Sequence, residues 1–510
     1  MSLLTKVAVY SLLATSVVCL QLPFKLPFFK QKVDVLTDNQ VAPQVTPRIA
    51  IVGAGAAGSS AAFWISKAKE RFGIDVEIDV YERASYIGGR STIVYPYNDT
   101  TLAPMELGAS IFVDANKNLM RAAKEFNLTL KDFIDEFSDT GLWDGQKFDI
   151  VLNEGTYTKS WWTTLKVLWR YGYSAPVKTQ SIVKNMIAEY LSLYTATSHR
   201  WDDIADLVEK MNWTDFVNST TLEYLSSKGV AEKWSREMVE AATRVNYGQD
   251  VDKIHALEGT CSLAATGASG VRDGNFLIFE NFLKHSGANV YLNTEVRDIL
   301  RVPGSSRWIL HTSSGSRIYK AVILAAPFHQ TNISVVSDLA ELIPAQPYVH
   351  LHVTLLTTRS ESTNPTYFGL SPGEKVPKVI LTTHEGARAG GVEPEFNSIS
   401  VHGRIQRAPG SADEKPEWKV KIFSKERITD EWLEKVFGHV GWVYRKEVGL
   451  FLFISTMETE TIASRNVVDL LLHKEFGSGI CGSQLSGPET SEGNPGHDGG
   501  SEDFVLGWDC

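Results

Sequence analysis

The first residues whose types and spacing could do chemistry are glycines. The apolar run Arg48-Ile49-Ala50-Ile51-Val52 passes straight into Gly53-Ala54-Gly55-Ala56-Ala57-Gly58, a Gly-x-Gly-x-x-Gly pattern. At this spacing Gly53 permits a tight turn, Gly55 lets backbone approach a pyrophosphate, and Gly58 lets a helix pack closely on the preceding strand. The N–H groups that open the helix then face the phosphate charge. The pattern alone is weak, and its context strengthens it. Ser59 to Lys69 reads as the helix. Val76-Glu77-Ile78-Asp79-Val80-Tyr81-Glu82 reads as a second strand whose final Glu82 can take a ribose hydroxyl, and Gly88-Gly89-Arg90 follows. Together these positions point to dinucleotide binding. A Gly-rich loop in some other α/β protein accounts for fewer of them.

Other chemistry-bearing residues form no comparable set. There is no Ser/His/Asp constellation or convincing carboxylate pair, so no catalytic residue is assigned. His350 and His352 share one face of an alternating strand without a third ligand, and read as solvated strand histidines rather than a metal pair. Of the four cysteines, Cys19 leaves with or borders an N-terminal apolar run. Cys481 and Cys510 bracket the tail and could pair in an oxidising lumen, and Cys261 reads as a free buried thiol.

The elements that must position the glycines come in pieces. Residues 48–112 form a first nucleotide-binding segment, in which Glu106-Leu107-Gly108-Ala109-Ser110 lies where many flavoproteins bring backbone to the flavin. From 113 to 252 the chain reads as mostly helical; Ile182, Val183, Met186, Ile187, Tyr190 and Leu191 recur at helical spacing. An aromatic cluster, Trp161, Trp162, Trp169, Tyr171 and Tyr173, reads as core, with an apolar ligand site or a membrane-facing patch as the sharper alternative. The nucleotide domain resumes over 253–330, with a strand from Asn289 to Ile299 and another at Ala321 to Ala326. Residues 331–439 are strand-rich and complete a substrate domain with 113–252. Residues 440–476 return to the nucleotide domain, with a last helix over Ser455–Lys474, and 477–510 read as a low-complexity tail. The fold class is therefore α/β: a Rossmann-like domain interrupted by a mixed-sheet and helical substrate domain.

A composition of 43% hydrophobic and 22% charged residues over 510 positions is that of a globular chain long enough for two domains. A formal charge of -10 without a basic block argues against a nucleic-acid partner. Lys6 and the apolar run Val7–Leu20 read as a signal peptide over 1–20, and the proline-bearing stretch 21–47 reads as a linker. Sequons at Asn98, Asn127, Asn212, Asn218 and Asn332 favour a glycosylated luminal or secreted protein.

The glycine pattern, Glu82 and Gly88-Gly89-Arg90 resemble the glutathione-reductase and amine-oxidase types of flavoprotein, which bind FAD. Arg170-Tyr171-Gly172, Arg244-Val245-Asn246-Tyr247-Gly248-Gln249, the segment Val271–Asn275 and Ile454-Ser455-Thr456-Met457-Glu458-Thr459 resemble, more narrowly, the prenylcysteine oxidase family, also called prenylcysteine lyases. The resemblance covers about residues 48–475. It implies FAD held by Gly53, Gly55, Ala56, Ala57, Gly58, Glu82, Arg83, Gly89, Arg90, Gly108, Ala109, Val296 and Met457.

The resemblance also implies oxidation of the thioether of an S-farnesyl or S-geranylgeranyl cysteine. Hydride leaves the prenyl C1 for the flavin, water adds, and the hemithioacetal collapses to cysteine and a prenyl aldehyde while oxygen becomes hydrogen peroxide. Sulfur and alkene both delocalise the developing cation, so the protein mainly supplies orientation, an apolar slot and control of water. A lysosomal or vacuolar lumen is the implied compartment, with secretion and a peripheral membrane contact as further expectations. Two departures stand out. Asp273 occupies the place of a family glycine, and the stretch before Ser455 is shorter than in relatives. From that shortening we expect one strand, Val448–Ile454, to join the nucleotide sheet and closure over the flavin to weaken. The alternatives are another flavin oxidase acting on amines or apolar substrates, or an FAD-binding protein without turnover.

Overall fold

The structure is a computed structural model, and it describes residues 46–132, 139–153, 156–264, 268–341, 343–345, 348–407, 415–451, 456–482 and 503–510. The signal-like run and all but the end of the linker lie outside these residues. In chain order the main elements begin with β1 (Arg48–Val52), α1 (Ala56–Phe72), β2 (Glu77–Tyr81), α2 (Lys117–Glu125), β3 (Asp139–Trp143) and β4 (Phe148–Asn153). Helices α3 (Thr156–Tyr171), α4 (Ser174–Leu191), α5 (Glu240–Tyr247) and α6 (Phe276–Ser286) follow. Next come β5 (Asn289–Tyr291), β6 (Val296–Arg301), β7 (Trp308–Thr312), β8 (Gly315–Tyr319) and β9 (Ala321–Leu324). The last are β10 (Tyr348–Thr358), β11 (Val379–Thr382), β12 (Ser398–Arg404), β13 (Trp418–Ser424), α7 (Asp430–Phe437), β14 (Val440–Phe451) and α8 (Met457–Phe476).

The first domain is a three-layer sandwich built on β1. Its parallel sheet runs β9-β1-β2-β5. Alternation along β1 divides the layers, because successive side chains point to opposite faces. Ile49 and Ile51 enter a core with Phe63, Trp64, Phe279 and Phe282 of α1 and α6. Ala50 and Val52 enter a second core with Ile299, Leu310 and Tyr319 of the β6–β8 meander. The expected strand Asn289–Ile299 is thus two strands in two layers, broken at Asn293, whose φ of 53° is left-handed.

The second domain is a seven-stranded sheet ordered β14-β10-β13-β12-β11-β3-β4. One face packs on α4 and α5 through Leu351, Val353, Leu355, Val183 and Val245. The other packs on α7 through Leu356, Ile422, Trp432 and Leu433.

Residues 113–252 are mostly helical, as expected, with β3 and β4 among the helices, and β3 joins the sheet beside β11 in parallel. Two other expectations about the domains are corrected. Residues 440–451 do not return to the nucleotide sheet. β14 runs antiparallel to β10 from Phe451 opposite Tyr348 to Val440 opposite Thr358. A twelve-residue strand finds its match in the eleven residues of β10, whereas the parallel strands are three to five residues long. The junction 452–455 lies outside the described residues. Finally, the tail is not uniformly low-complexity filler: residues 503–510 pack on the first domain. Trp508 stacks among Phe63, Trp64, Phe126 and Phe282, with ring centroids 4.9–6.3 Å away. Arg71 donates to the carbonyls of Gly507 and Trp508, and Cys510 is disulfide-bonded to Cys481, as the sequence allowed.

Candidate active site

The β1–α1 turn has the geometry its glycines suggested. Gly53 has a φ of +108°, and a Cβ there would stand 2.6 Å from the carbonyl oxygen of Ala325. At Gly58 a Cβ would stand 1.9 Å from the carbonyl oxygen of Gly53, so helix and strand touch only because there is none. Gly55 differs, because its nearest neighbours would be 3.7 Å or more away, in the loop of Gly88 and Gly89. Gly88 donates to the carbonyl of Ala54 at 2.9 Å, which lays that loop across the turn. Helix α1 opens with Gly55 as N-cap, no side-chain cap and no acidic residue in its first turn. The turn therefore presents uncapped N–H groups, a positive helix end and space at a glycine, which fits a pyrophosphate.

Glu82 closes one end of the turn. Its carboxylate accepts from the N–H of Ala54 at 2.9 Å and of Ala84 at 2.8 Å, which fixes it in reach of a ribose. Thr294 and Asn293 donate to the carbonyls of Glu82 and Ala84, drawing the segment before the buried Val296 alongside. Ala56 and Ala57 form the first turn of α1, and Ser464 of α8 donates to the carbonyl of Ala57 at 2.7 Å. Arg83 is the one assigned residue that stands apart, exposed and without a protein partner among the described residues.

Towards the other domain the loop of Gly89 leads to Arg90, whose guanidinium lies 3.5 Å from the Glu460 carboxylate. Both side chains are about one-third exposed. Burial raises the Glu460 carboxyl, and Arg90 opposes the rise. Met457 is buried at the start of α8, which Thr456 caps by accepting from Thr459 N–H. Glu458 beside it accepts from the N–H groups of Asn118 and Leu119 and from the Tyr194 hydroxyl, and burial pushes it up to about 7. Gly108 and Ala109 sit in a loop tied to both domains.

Residues of the narrower motifs turn out to hold the scaffold. Arg170 makes a two-point pair with Glu237, to which Tyr171 also donates. Arg244, fully buried, reaches Asp250, Thr382 and Asn397. Of the aromatic cluster, Tyr171 is core against Trp234, while Trp169 and Tyr173 are 92% and 66% exposed; the Trp161 and Trp162 side chains are not among those described. His350 pairs with Glu447 at 2.8 Å. Cys261 lies beside Met186, and burial with Glu258 nearby pushes its thiol up to about 12, so it is an unreactive thiol. The sequence reading missed Lys421 and Glu460, and named Glu106 and Asn275 only as parts of longer stretches without a role. Asn275 ends a family-like stretch, and Lys421 shares strand parity with the buried Phe423, which was the one signal that it points inward.

The fold and the site are those of a two-domain FAD-dependent oxidoreductase. A Rossmann-like NAD(P)-binding domain model matches residues 51–126. A solved fatty acid isomerase from P. acnes, described as producing CLA, shares the fold, with a TM-score of 0.52 and 12% identity over 83% of this chain and 91% of that one. The prenylcysteine lyase family model matches residues 155–451, and the chain belongs to that family. It is 27% identical to farnesylcysteine lyase of Arabidopsis thaliana, over 84% of this chain and 88% of that protein. It is 26% identical to prenylcysteine oxidase 1 of Mus musculus, over 79% and 80%.

Proposed function

We propose that the protein oxidises the thioether of an S-prenyl-L-cysteine, farnesyl or geranylgeranyl, releasing cysteine and a prenyl aldehyde while oxygen becomes hydrogen peroxide. The observation that carries the reading is the family match over residues 155–451, together with an uncapped dinucleotide turn in the first domain. FAD, when bound, supplies the hydride acceptor. The chain's own residues would hold it: the N-terminus of α1 would take the pyrophosphate and Glu82 the ribose, with the Arg90–Glu460 pair following in the chain and across from it. No side chain needs to remove a proton from carbon, because sulfur and alkene carry the charge that develops there. The protein's part is to orient the thioether and limit water to the one molecule that adds.

The test is to purify the full chain from a secretory host, record its visible flavin bands, add farnesylcysteine or geranylgeranylcysteine and follow peroxide and free thiol together. Equimolar thiol and peroxide are expected. A yellow protein that makes neither product from either substrate overturns the reading.

The compartment we propose is a lumen of the secretory pathway, lysosomal or vacuolar. Support comes from the five sequon asparagines, all exposed; four of them, Asn98, Asn127, Asn212 and Asn332, have φ of 53–58°, on turns open to a transferase. The Cys481–Cys510 bond agrees with an oxidising compartment. Endoglycosidase treatment of the native protein should increase its gel mobility; unchanged mobility overturns the glycosylation. A peripheral membrane contact belongs to the same reading, supported by the exposed Leu165 and Trp169 on successive turns of α3 and the exposed Tyr173 just past its end.

A further inference from the structure

A buried polar cluster joins the two domains at the loop 106–110, and the proposed reaction leaves it unused. Lys421 lies on β13 opposite Leu355 and Ser400 and is 3% exposed. Its Nζ leaves the sheet and donates to the carbonyl of Glu106 at 3.0 Å and to the hydroxyl of Ser110 at 3.1 Å. The Ser110 hydroxyl in turn donates to the carbonyl of Gly108 at 2.6 Å. From the other side Asn275, fully buried, donates its N–H to the Glu106 carboxylate and its Nδ2 to the carbonyl of Ala109, both at 2.7 Å. Its Oδ1 accepts from Val271 N–H, which fixes it in place.

These ties occupy the carbonyls of Glu106, Gly108 and Ala109 and one oxygen of the Glu106 side chain. The N–H groups of Gly108 and Ala109 have no partner among the described residues, and the second Glu106 oxygen is buried without one. Leaving a buried donor or acceptor unpaired costs about 1–3 kcal/mol, so such groups mark a missing partner. Two adjacent donors and one acceptor in a single loop are the kinds of group that a ring edge with acceptor atoms next to an N–H would satisfy. The isoalloxazine of FAD has such an edge, and the glycine turn already takes the pyrophosphate.

We propose that Lys421 is a positioning residue for the cofactor: an arm from the substrate sheet that, with Asn275, holds the loop 106–110 so that its free groups face the isoalloxazine. The assignment rests on the FAD reading above. It makes cofactor retention depend on contact between the domains, since one clamp comes from each. The charges facing the cluster agree with a tightly packed seam. Burial pulls the Lys421 ammonium down to about 7 and lifts the Glu106 carboxyl to about 7, while each group's charge partly opposes the other's shift and Lys131 faces both.

The experiment compares wild type, Lys421→Met, Lys421→Arg and Ser110→Ala. Methionine is apolar and of similar length, and it suits a face lined by Val353, Leu355 and Phe423. FAD affinity of the stripped proteins is read by flavin fluorescence, and the bound cofactor by its visible bands. Lys421→Met should weaken FAD about tenfold and shift the bands, Lys421→Arg should restore part of both, and Ser110→Ala should weaken FAD about threefold. Wild-type affinity and bands in Lys421→Met overturn the proposal. If that variant does not fold, Ser110→Ala decides: weaker binding with shifted bands supports the proposal, and wild-type behaviour overturns it. A wild-type protein that takes up no FAD overturns the FAD reading as well, which no variant result does.

Discussion

Gly55 and Gly58 are three residues apart in one motif, yet the structure predicts opposite consequences for the same methyl group. At Gly58 an added Cβ would lie 1.9 Å from the carbonyl oxygen of Gly53, 2.9 Å from its carbon and 3.2 Å from Ile51. Strand and helix must separate by more than an ångström to accept it, which loosens the core of Ile51, Phe63 and Phe282. Overpacking of this kind costs about 3 kcal/mol. At Gly55 the backbone φ is -81°, open to any residue, and the nearest atoms would be 3.7 Å away. Alanine gains from a less flexible unfolded chain, about 0.4–1 kcal/mol, and loses a similar amount as an N-cap. Gly55→Ala should therefore leave the cofactor-free melting temperature almost unchanged. It should nevertheless weaken FAD by about 2 kcal/mol, close to thirtyfold, because the methyl group fills the space of the pyrophosphate. Thermal melts of stripped protein and FAD titrations separate the two effects. Wild-type FAD affinity in Gly55→Ala, or wild-type stability in Gly58→Ala, refutes the reasoning.

Four further expectations follow from the same structure. Burial pushes Glu106 and Glu458 up to about 7 and Glu258 up to about 8, from an ordinary 4.5. At these carboxyls the folded state holds more protons than the unfolded one above pH 4.5, so their stabilisation is complete below 4.5 and is lost as pH rises through 7 and 8. Cofactor-free protein should melt at a higher temperature at pH 5 than at pH 7, and the reverse order would contradict the burial of these carboxyls. The Cys481–Cys510 bond spans 29 positions, so Cys510→Ser should lower stability by up to about 3.6 kcal/mol on a chain-entropy argument. Trp508→Ala should cost about 3–5 kcal/mol by emptying its aromatic nest. Denaturant melts with and without a reductant check both, and an unchanged midpoint in either variant would show that the tail is not docked. Trp169→Ala should reduce sedimentation with lipid vesicles without altering the melt, since the side chain is 92% exposed; equal sedimentation would remove α3 as a membrane contact.

Local rules carried the sequence a long way. The run 48–52, the three glycines and Glu82 determined a β-α-β unit and its ligand, because a tight turn, a close helix approach and a helix end each demand particular residues at particular spacings. The alternation in β10, the Thr429 cap and Gly438 stop of α7, and the apolar strand β9 were legible for the same reason: period and capping act over a few residues. What the tertiary structure decided is which distant pieces meet. Arg90 finds Glu460 across 370 positions, and Lys421 finds Glu106 across 315. Lys421, one of two lysines in the strand Trp418–Phe423, carries no local mark of a partner in the other domain. The polar composition of the tail concealed Trp508, because one aromatic residue docks by filling a cavity made elsewhere rather than by any period of its own. β14 joined the substrate sheet because the long open edge of β10 could pair its whole backbone, and an unpaired edge is a property of the assembled sheet that no single strand contains.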